Sequence, residues 1–75
     1  MEFQKIKELI AGILNISEDM ITEKSSFYDD LGADSLELYQ IITLIEDSFD
    51  VDIADKGLER FVTVGDAARA LAAAR

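Results

Sequence analysis

Residues 34–49, DSLELYQIITLIEDSF, decide the fold because they carry the spacing of an amphipathic helix. Asp34 predicts the N-cap, and Glu37, three residues later, completes a capping box in which aspartate is the cap. At about 100° per residue, one face collects the apolar side chains that should enter the core. These are Leu38, Ile41, Ile42, Ile45 and Phe49. We therefore expect a helix from Ser35 to about Phe49.

The opposite face of this helix is expected to meet solvent. Gln40, Thr43 and Asp47 lie there, and Leu36 lies beside them as an apolar residue on a polar surface. Ser35 would be the first helical residue, where unpaired backbone N–H groups and the helix dipole favour an anion. An ordinary first-turn serine that faces water is the alternative. The position favours a phosphate-bearing serine that another enzyme modifies.

Two further helices are predicted on either side. Asn15 should end the first helix, while Thr63 should cap the last one, with Asp66 in its first turn. Apolar residues of the first helix recur at helical spacing: Phe3, Ile6, Leu9, Ile10, Ile13 and Leu14. The last helix has a narrower stripe of Val64, Ala67, Ala68 and Leu71. Its small residues indicate close helix packing.

The segments between the helices contain no strand pattern. Residues 15–34 are expected to form a long ordered loop, pinned to the helices by Ile16, Ile21, Phe27 and Leu31. A short helical turn is predicted around Lys56–Arg60. The predicted fold is therefore all-α: a small four-helix bundle of three main helices plus a short third helix. We expect residues 1–75 to form a single domain.

The composition excludes several kinds of site. The chain of 75 residues has no Cys and no His, so disulfides, the usual zinc sites and a Ser–His catalytic pair are all ruled out. Calcium-loop registers that start at Asp29 or Asp50 lack the required ligands and glycine. No stretch is long and apolar enough to span a membrane, and the N-terminus lacks a signal-peptide pattern. We expect a cytoplasmic protein that is not an enzyme.

The net charge of −9 is concentrated in the middle of the chain. Nine acids lie between Ser25 and Asp55 with no base among them, and the rest of the chain is balanced. Such a surface repels nucleic acids and anionic membranes, and it attracts proteins that present Lys and Arg patches. A solvated acidic face kept for solubility is the simpler alternative.

Residues 27–53, FYDDLGADSLELYQIITLIEDSFDVDI, resemble the region around the modified serine of acyl carrier proteins. The segment LGADSL, residues 31–36, is the most specific part of the resemblance. VTVGDA, residues 62–67, resembles the opening of the last helix in that family. The similarity covers nearly the whole chain.

The resemblance implies that Ser35 carries 4′-phosphopantetheine, which a phosphopantetheinyl transferase installs from coenzyme A. The thiol of this arm would hold an acyl chain as a thioester. Asp34 would help to orient the transferase. The face that meets basic patches on acyl-transferring and synthase enzymes would comprise Leu36, Glu37, Gln40, Thr43, Glu46 and Asp47. We also expect a monomer, independently of the resemblance.

Departures from the family pattern lie mostly on this partner face. Gln40 stands where Glu is usual, Thr43 where a larger apolar residue is usual, and Tyr39 replaces a smaller branched residue. These changes favour a specialised carrier in fatty acid, lipid or polyketide-type synthesis over the housekeeping carrier. Two alternatives stay open: an aminoacyl or D-alanyl carrier on the same scaffold, and an acidic helical interaction module that is never modified.

Overall fold

Three helices form the architecture of the computed structural model, which describes residues 2–54 and 57–74. Helix α1 is Glu2–Leu14, α2 is Ser35–Phe49 and α3 is Val64–Ala74. Single 3₁₀ turns occur at Glu18–Met20 and Leu58–Arg60. No strand is present in the described ranges, so the all-α prediction is confirmed. The short helical turn predicted around Lys56–Arg60 corresponds to the second 3₁₀ turn, and Lys56 lies outside the described residues.

The ends of α1 and α2 follow the local sequence signals. Asn15, just after α1, has a φ of 58°, and the N–H of Ile16 donates to the carbonyl of Ala11 over 3.3 Å. Asp50, just after α2, has a φ of 57°, and the N–H of Val51 donates to the carbonyl of Glu46 over 3.1 Å. Asn and Asp tolerate this left-handed conformation better than other non-glycine residues. Both helices therefore end where such a residue turns the chain.

The core lies where the apolar faces of the three helices meet. Helix α1 contributes Ile6 and Ile10, and the face predicted for α2 is buried except at Phe49, which is only partly buried at the helix end. Helix α3 contributes Val64, Ala67 and Leu71. Because burial of apolar area is the main stabilising term of a small domain, this common core fixes the helix arrangement.

The long loop between α1 and α2, residues 15–34, packs against the helices. Ile21 and Phe27 are buried in the core, and Ile16 and Leu31 pack against it, as predicted. The loop also pairs with the start of α3 through three backbone hydrogen bonds of 2.8–3.0 Å. They join Phe27 to Val62, Val64 to Ser25, and Gly65 to Glu23. The loop is therefore joined to α3 by its backbone as well as by its side chains.

Gly65 permits this close approach. A Cβ at this position would lie 2.9 Å from the carbonyl oxygen of Glu23, which is a backbone atom that cannot turn away. Gly12, in the exposed part of α1, has nothing within 4 Å of a Cβ. The two helical glycines therefore differ in the space available to a side chain.

We predict that Gly65→Ala destabilises the protein by about 1–3 kcal/mol, because the methyl group forces the loop away from α3. Gly12→Ala is the matched control and should stabilise it by about 0.5–1 kcal/mol, the ordinary gain from removing glycine from a helix. Denaturant unfolding of both variants measures the difference. Equal stabilisation by both substitutions would contradict the close packing at Gly65.

Helix α3 begins with a reciprocal cap. The Thr63 hydroxyl accepts a hydrogen bond from the N–H of Asp66, and Asp66 Oδ2 accepts from the N–H groups of Val62 and Thr63 at 3.0 Å each. The backbone hydrogen bond from Thr63 is the largest cause that lowers the pKa of the Asp66 carboxyl. Burial opposes it, and the Arg69 guanidinium and the Val62 N–H add to it. The cap is thus strongest when Asp66 is ionised.

Asp66→Ala should lower the free energy of unfolding at neutral pH by about 1 kcal/mol, because the two capping hydrogen bonds accepted by its carboxylate are lost. A carboxyl whose pKa is lowered by folding stabilises above its unfolded pKa, and this contribution disappears as the pH falls through the folded value. The difference between wild type and variant should therefore shrink below pH 3.8, the ordinary pKa of the group. A difference that stays constant in urea melts across this range would rule out the ionised cap.

Candidate functional site

The start of α2 is fixed by the capping box that the sequence predicts. Asp34 Oδ1 accepts from the N–H of Glu37 over 2.8 Å, and Glu37 Oε1 accepts from the N–H of Asp34 over 3.0 Å. The carbonyl of Asp34 accepts the first helical bond, from Leu38, at 2.9 Å. These three bonds make Ser35 the first residue of α2.

The chain reaches this cap through a tight turn. Gly32 has a φ of 71°, a conformation that favours glycine, and the next residue, Ala33, is buried. The N–H of Ala33 donates to the carbonyl of Phe27 over 2.8 Å. Since Phe27 is itself fully buried, the segment before Ser35 is tied to the core. Ser35 therefore stands on a rigid support.

Ser35 is exposed to solvent, and its hydroxyl has no hydrogen-bond partner among the described residues. Within the same ranges, no carbonyl or carboxylate accepts from the backbone N–H of Ser35 or Leu36. An anion on the Ser35 oxygen would lie beside these donors, at the positive end of the helix dipole. The position is thus accessible to another protein, and it suits an attached phosphate.

The residues predicted for a partner face fall into two groups. Gln40 and Asp47 are exposed, and Thr43 is half-buried. Leu36 is 65% exposed, more than any other large apolar side chain among the described residues. These four have surface available to a partner. Glu37 and Glu46 are only partly exposed, and both carboxylates accept hydrogen bonds from the backbone.

A groove that was not predicted from the sequence lies beside this face. The groove has a volume of about 340 Å³, and Ile13, Tyr39, Gln40, Thr43 and Leu44 line it. Tyr39 is 55% exposed although it is large and aromatic. The sequence does contain a pattern that could have predicted this groove. Tyr39 and Thr43, like Gln40 and Leu44, are four residues apart, so their uncharged side chains lie together on one helix face.

Comparisons with known proteins agree with this geometry. The family described as "Phosphopantetheine attachment site" matches residues 4–71. Acyl carrier proteins from Clostridium perfringens, strains SM101 and 13, are each 48% identical over 64 residues, which are 85% of this chain and 84% of the relative. A solved structure from Mycobacterium tuberculosis, assigned as an acyl carrier protein, superposes with a TM-score of 0.88 at 37% identity over 97% of both chains.

The chain belongs to the acyl carrier protein family. It is therefore a carrier and not an enzyme, and 4′-phosphopantetheine is its covalent cofactor. Family membership also implies encounters with a phosphopantetheinyl transferase and with synthase enzymes. The resemblance described from the sequence is confirmed. In the described residues of this carrier, every helix is too short or too polar to cross a bilayer.

In this acyl carrier, Glu46 has a structural role that the sequence analysis did not predict. Its Oε2 atom accepts from the N–H of Ile53 over 2.8 Å and from the N–H of Ala54 over 3.0 Å. The carboxylate thus ties the segment after α2 back to the last turns of that helix. Asp47, the next residue, is exposed and makes no such contact among the described residues.

We predict that Glu46→Ala lowers the free energy of unfolding by about 1–3 kcal/mol, because two partly buried N–H groups lose their acceptor. Asp47→Ala, the neighbouring control, should change it by at most about 0.5 kcal/mol. Denaturant unfolding of the two variants makes the comparison. If the two alanine variants are equally stable, Glu46 is only a surface charge.

Proposed function

We propose that Ser35 is the attachment point of 4′-phosphopantetheine in this acyl carrier. The proposal rests on the exposed Ser35 hydroxyl at the first position of a capped helix. Two backbone N–H groups beside it have no acceptor among the described residues. Ser17 provides the contrast, because its hydroxyl already accepts from the N–H of Asp19. Ser25 is buried and bonded to Thr22. Among the serines of the described ranges, Ser35 alone combines exposure, free backbone donors and a support tied to the core.

In the attachment reaction, the Ser35 oxygen forms a bond to the phosphorus that bears pantetheine. The bond between this phosphorus and the bridging oxygen of the coenzyme A pyrophosphate breaks. Adenosine bisphosphate leaves, and a base of the transferase takes the serine proton. The chain needs no base of its own for this step, which is consistent with its lack of His. The bound arm supplies a thiol that holds the acyl group as a thioester. This chain's residues present the oxygen, stabilise the phosphodiester charge at the helix start and keep the loop in place.

Asp34 has a second role in this proposal. Its Oδ1 atom is engaged by the cap, whereas Oδ2 has no hydrogen-bond partner among the described residues. This second oxygen lies one residue before Ser35 and is available to a cationic group of the transferase. The same carboxylate thus holds Ser35 in position through one oxygen and offers the other oxygen as a contact to the modifying enzyme.

The partner face in this proposal is centred on Leu36, which would enter an apolar pocket of the enzyme. Gln40, Thr43 and Asp47 surround this contact, and Glu37 and Glu46 add negative potential while they stabilise the helix ends. Basic patches on acyl-transferring and synthase enzymes would be attracted at long range and released readily at moderate ionic strength. Relative to the family pattern, Gln40 removes a negative charge from this face and Thr43 removes apolar surface, which supports a specialised carrier over a housekeeping one.

The cellular setting in this proposal is the cytoplasm, where residues 1–75 act as one monomeric domain. The cargo is an acyl intermediate of fatty acid, lipid or polyketide-type synthesis. The net charge of −9 supports repeated brief encounters, since it disfavours self-association and favours basic partners.

Incubation of the chain with coenzyme A, Mg²⁺ and a broad-specificity phosphopantetheinyl transferase tests the attachment point. Intact mass should rise by one phosphopantetheinyl group in the wild type and in Ser48→Ala, whose serine is exposed on the same helix. Ser35→Ala should gain nothing, because the accepting oxygen is absent. Circular dichroism confirms that each variant is folded.

Two results would contradict the proposal. One is a mass gain in folded Ser35→Ala, which would place the arm on another serine. The other is no gain in the wild type with several transferases that modify a control carrier. That result would favour an acidic interaction module that is never modified.

A further inference from the structure

Three consecutive residues of the long loop, centred on Ser26, are bonded to the chain on two sides. On the first side, the carbonyl of Ser25 accepts from the N–H of Val64, and the N–H of Phe27 donates to the carbonyl of Val62, at 3.0 Å each. Ser26 lies between these bonds, in an isolated antiparallel bridge. Its own N–H and carbonyl therefore face away from the start of α3, as they do at every second residue of an antiparallel pair.

The other side of this segment is closed by Asp30. Its Oδ2 atom accepts from the N–H of Ser26 over 2.7 Å. The N–H groups of Asp30 and Leu31 donate in return to the carbonyl of Ser26, over 3.0 Å each. The Ser26 hydroxyl also accepts from the N–H of Asp29 over 3.1 Å. Ser26 and Asp30 thus hold each other in a closed turn, and the only part of Asp30 that satisfies the Ser26 N–H is its carboxylate.

This turn leads directly to the proposed attachment point. The carbonyl of Phe27, the residue after Ser26, accepts from the N–H of Ala33 over 2.8 Å, and both Phe27 and Ala33 are buried. Ala33 is followed by the N-cap Asp34 and then by Ser35. A change in the turn therefore moves the carbonyl that holds the segment immediately before Ser35.

We propose that Asp30 is a positioning residue for the attachment of phosphopantetheine, because its carboxylate fixes the turn that leads to Ser35. This inference rests on the proposed attachment at Ser35. Asp30 acts through the backbone of Ser26 and Phe27, not by contact with the reacting atoms. A displacement of about 1 Å at a reacting group can slow an enzymatic step by about 100-fold, so a modest loss of order at this turn is enough to slow the transfer.

Asp29 distinguishes this role from that of a surface charge. Asp29 and Asp30 are neighbours in the same loop, and both are exposed. The Asp29 carboxylate accepts no hydrogen bond from the described residues. Alanine at either position removes one negative charge and weakens the long-range attraction of a basic partner to a similar extent. Only Asp30→Ala also leaves the half-buried Ser26 N–H without its acceptor.

Steady-state kinetics of a phosphopantetheinyl transferase separate the two effects. In Asp29→Ala, the KM for the carrier should rise at low salt and approach the wild-type value in about 0.5 M NaCl, because salt screens exposed charges. Its kcat should not change. In Asp30→Ala, kcat should fall about tenfold, and the loss should persist at high salt because the Ser35 oxygen is misplaced.

The conservative variant Asp30→Asn completes the kinetic test. It removes the charge but keeps a side-chain oxygen that can accept from the Ser26 N–H. Its kcat should therefore return to nearly the wild-type value, while its KM follows that of Asp29→Ala. Circular dichroism confirms that every variant is folded at the assay temperature.

Backbone relaxation of the unmodified protein checks that the effect passes through the turn. In Asp30→Ala, the NMR order parameters of the Ala33 and Ser35 amides should fall from about 0.85, the value of rigid backbone, toward about 0.6. Those of Ile10 and Ile42, in the core of α1 and α2, should stay at wild-type values. A general loss of stability would not produce this local change, because order parameters report on the folded state.

Several results would overturn the role of Asp30 and leave the attachment point intact. One is equal kinetics of Asp29→Ala and Asp30→Ala at high salt, with the wild type modified at Ser35, since Asp30 would then be only a surface charge. A kcat in Asp30→Asn as low as that in Asp30→Ala is another. Unchanged order parameters at Ala33 and Ser35 in folded Asp30→Ala are a third. A wild-type chain that gains no phosphopantetheine contradicts the proposed function itself, and this inference with it.

Discussion

The reciprocal hydrogen bonds between Asp34 and Glu37 are the constraint on which the functional surface depends. A cap of this kind stabilises a helix by about 1 kcal/mol, a modest amount, yet it decides which residue comes first in α2. A start one residue later would leave Ser35 outside the helix, and a start one residue earlier would move it further into the first turn. The cap thus places Ser35 at the exposed start of the helix whose Leu38, Ile41 and Ile42 enter the core.

The carboxylates of this chain do more than create an acidic surface. Glu37, Glu46 and Asp66 each accept hydrogen bonds from backbone N–H groups at the end of a helix or in the turn beside it. Asp30 likewise accepts from the N–H of Ser26 over 2.7 Å within the long loop. A domain with no disulfide holds its irregular segments with such bonds, because each acceptor replaces lost hydration of a backbone donor. The charge that attracts partners is therefore partly the charge that orders the loops.

Features governed by neighbours in sequence were predictable, and those governed by packing were not. The bounds of α2, the end of α1 at Asn15 and the cap at Thr63 follow from residues within one or two turns, so the sequence alone predicts them. The tether from Glu46 to Ile53 spans seven residues around a left-handed Asp50, and the contact between Gly65 and Glu23 joins distant segments. Neither has a local signature. The groove beside Tyr39 also depends on where α1 ends relative to α2.

The candidate site likewise contains features that the sequence predicts and features that it does not. The exposed Ser35 and its cap could be predicted because a helix start carries a clear pattern of residue types. The partner face was predicted as one surface, but Glu46 is tied to the following segment, and Gln40 and Thr43 line the groove beside Tyr39. Surface charge on a helix can be read from periodicity, whereas a carboxylate's hydrogen-bond partner depends on the path of the chain beyond the helix.

Attachment at Ser35 is best measured on the protein isolated from the cells that naturally make it. Tandem mass spectrometry of the peptide that contains Ser35 should find phosphopantetheine on that residue, with a fraction extended by acyl groups that hydroxylamine releases. The released acyl groups would also identify the cargo. Protein that is folded and abundant in those cells but carries a bare Ser35 would contradict the account.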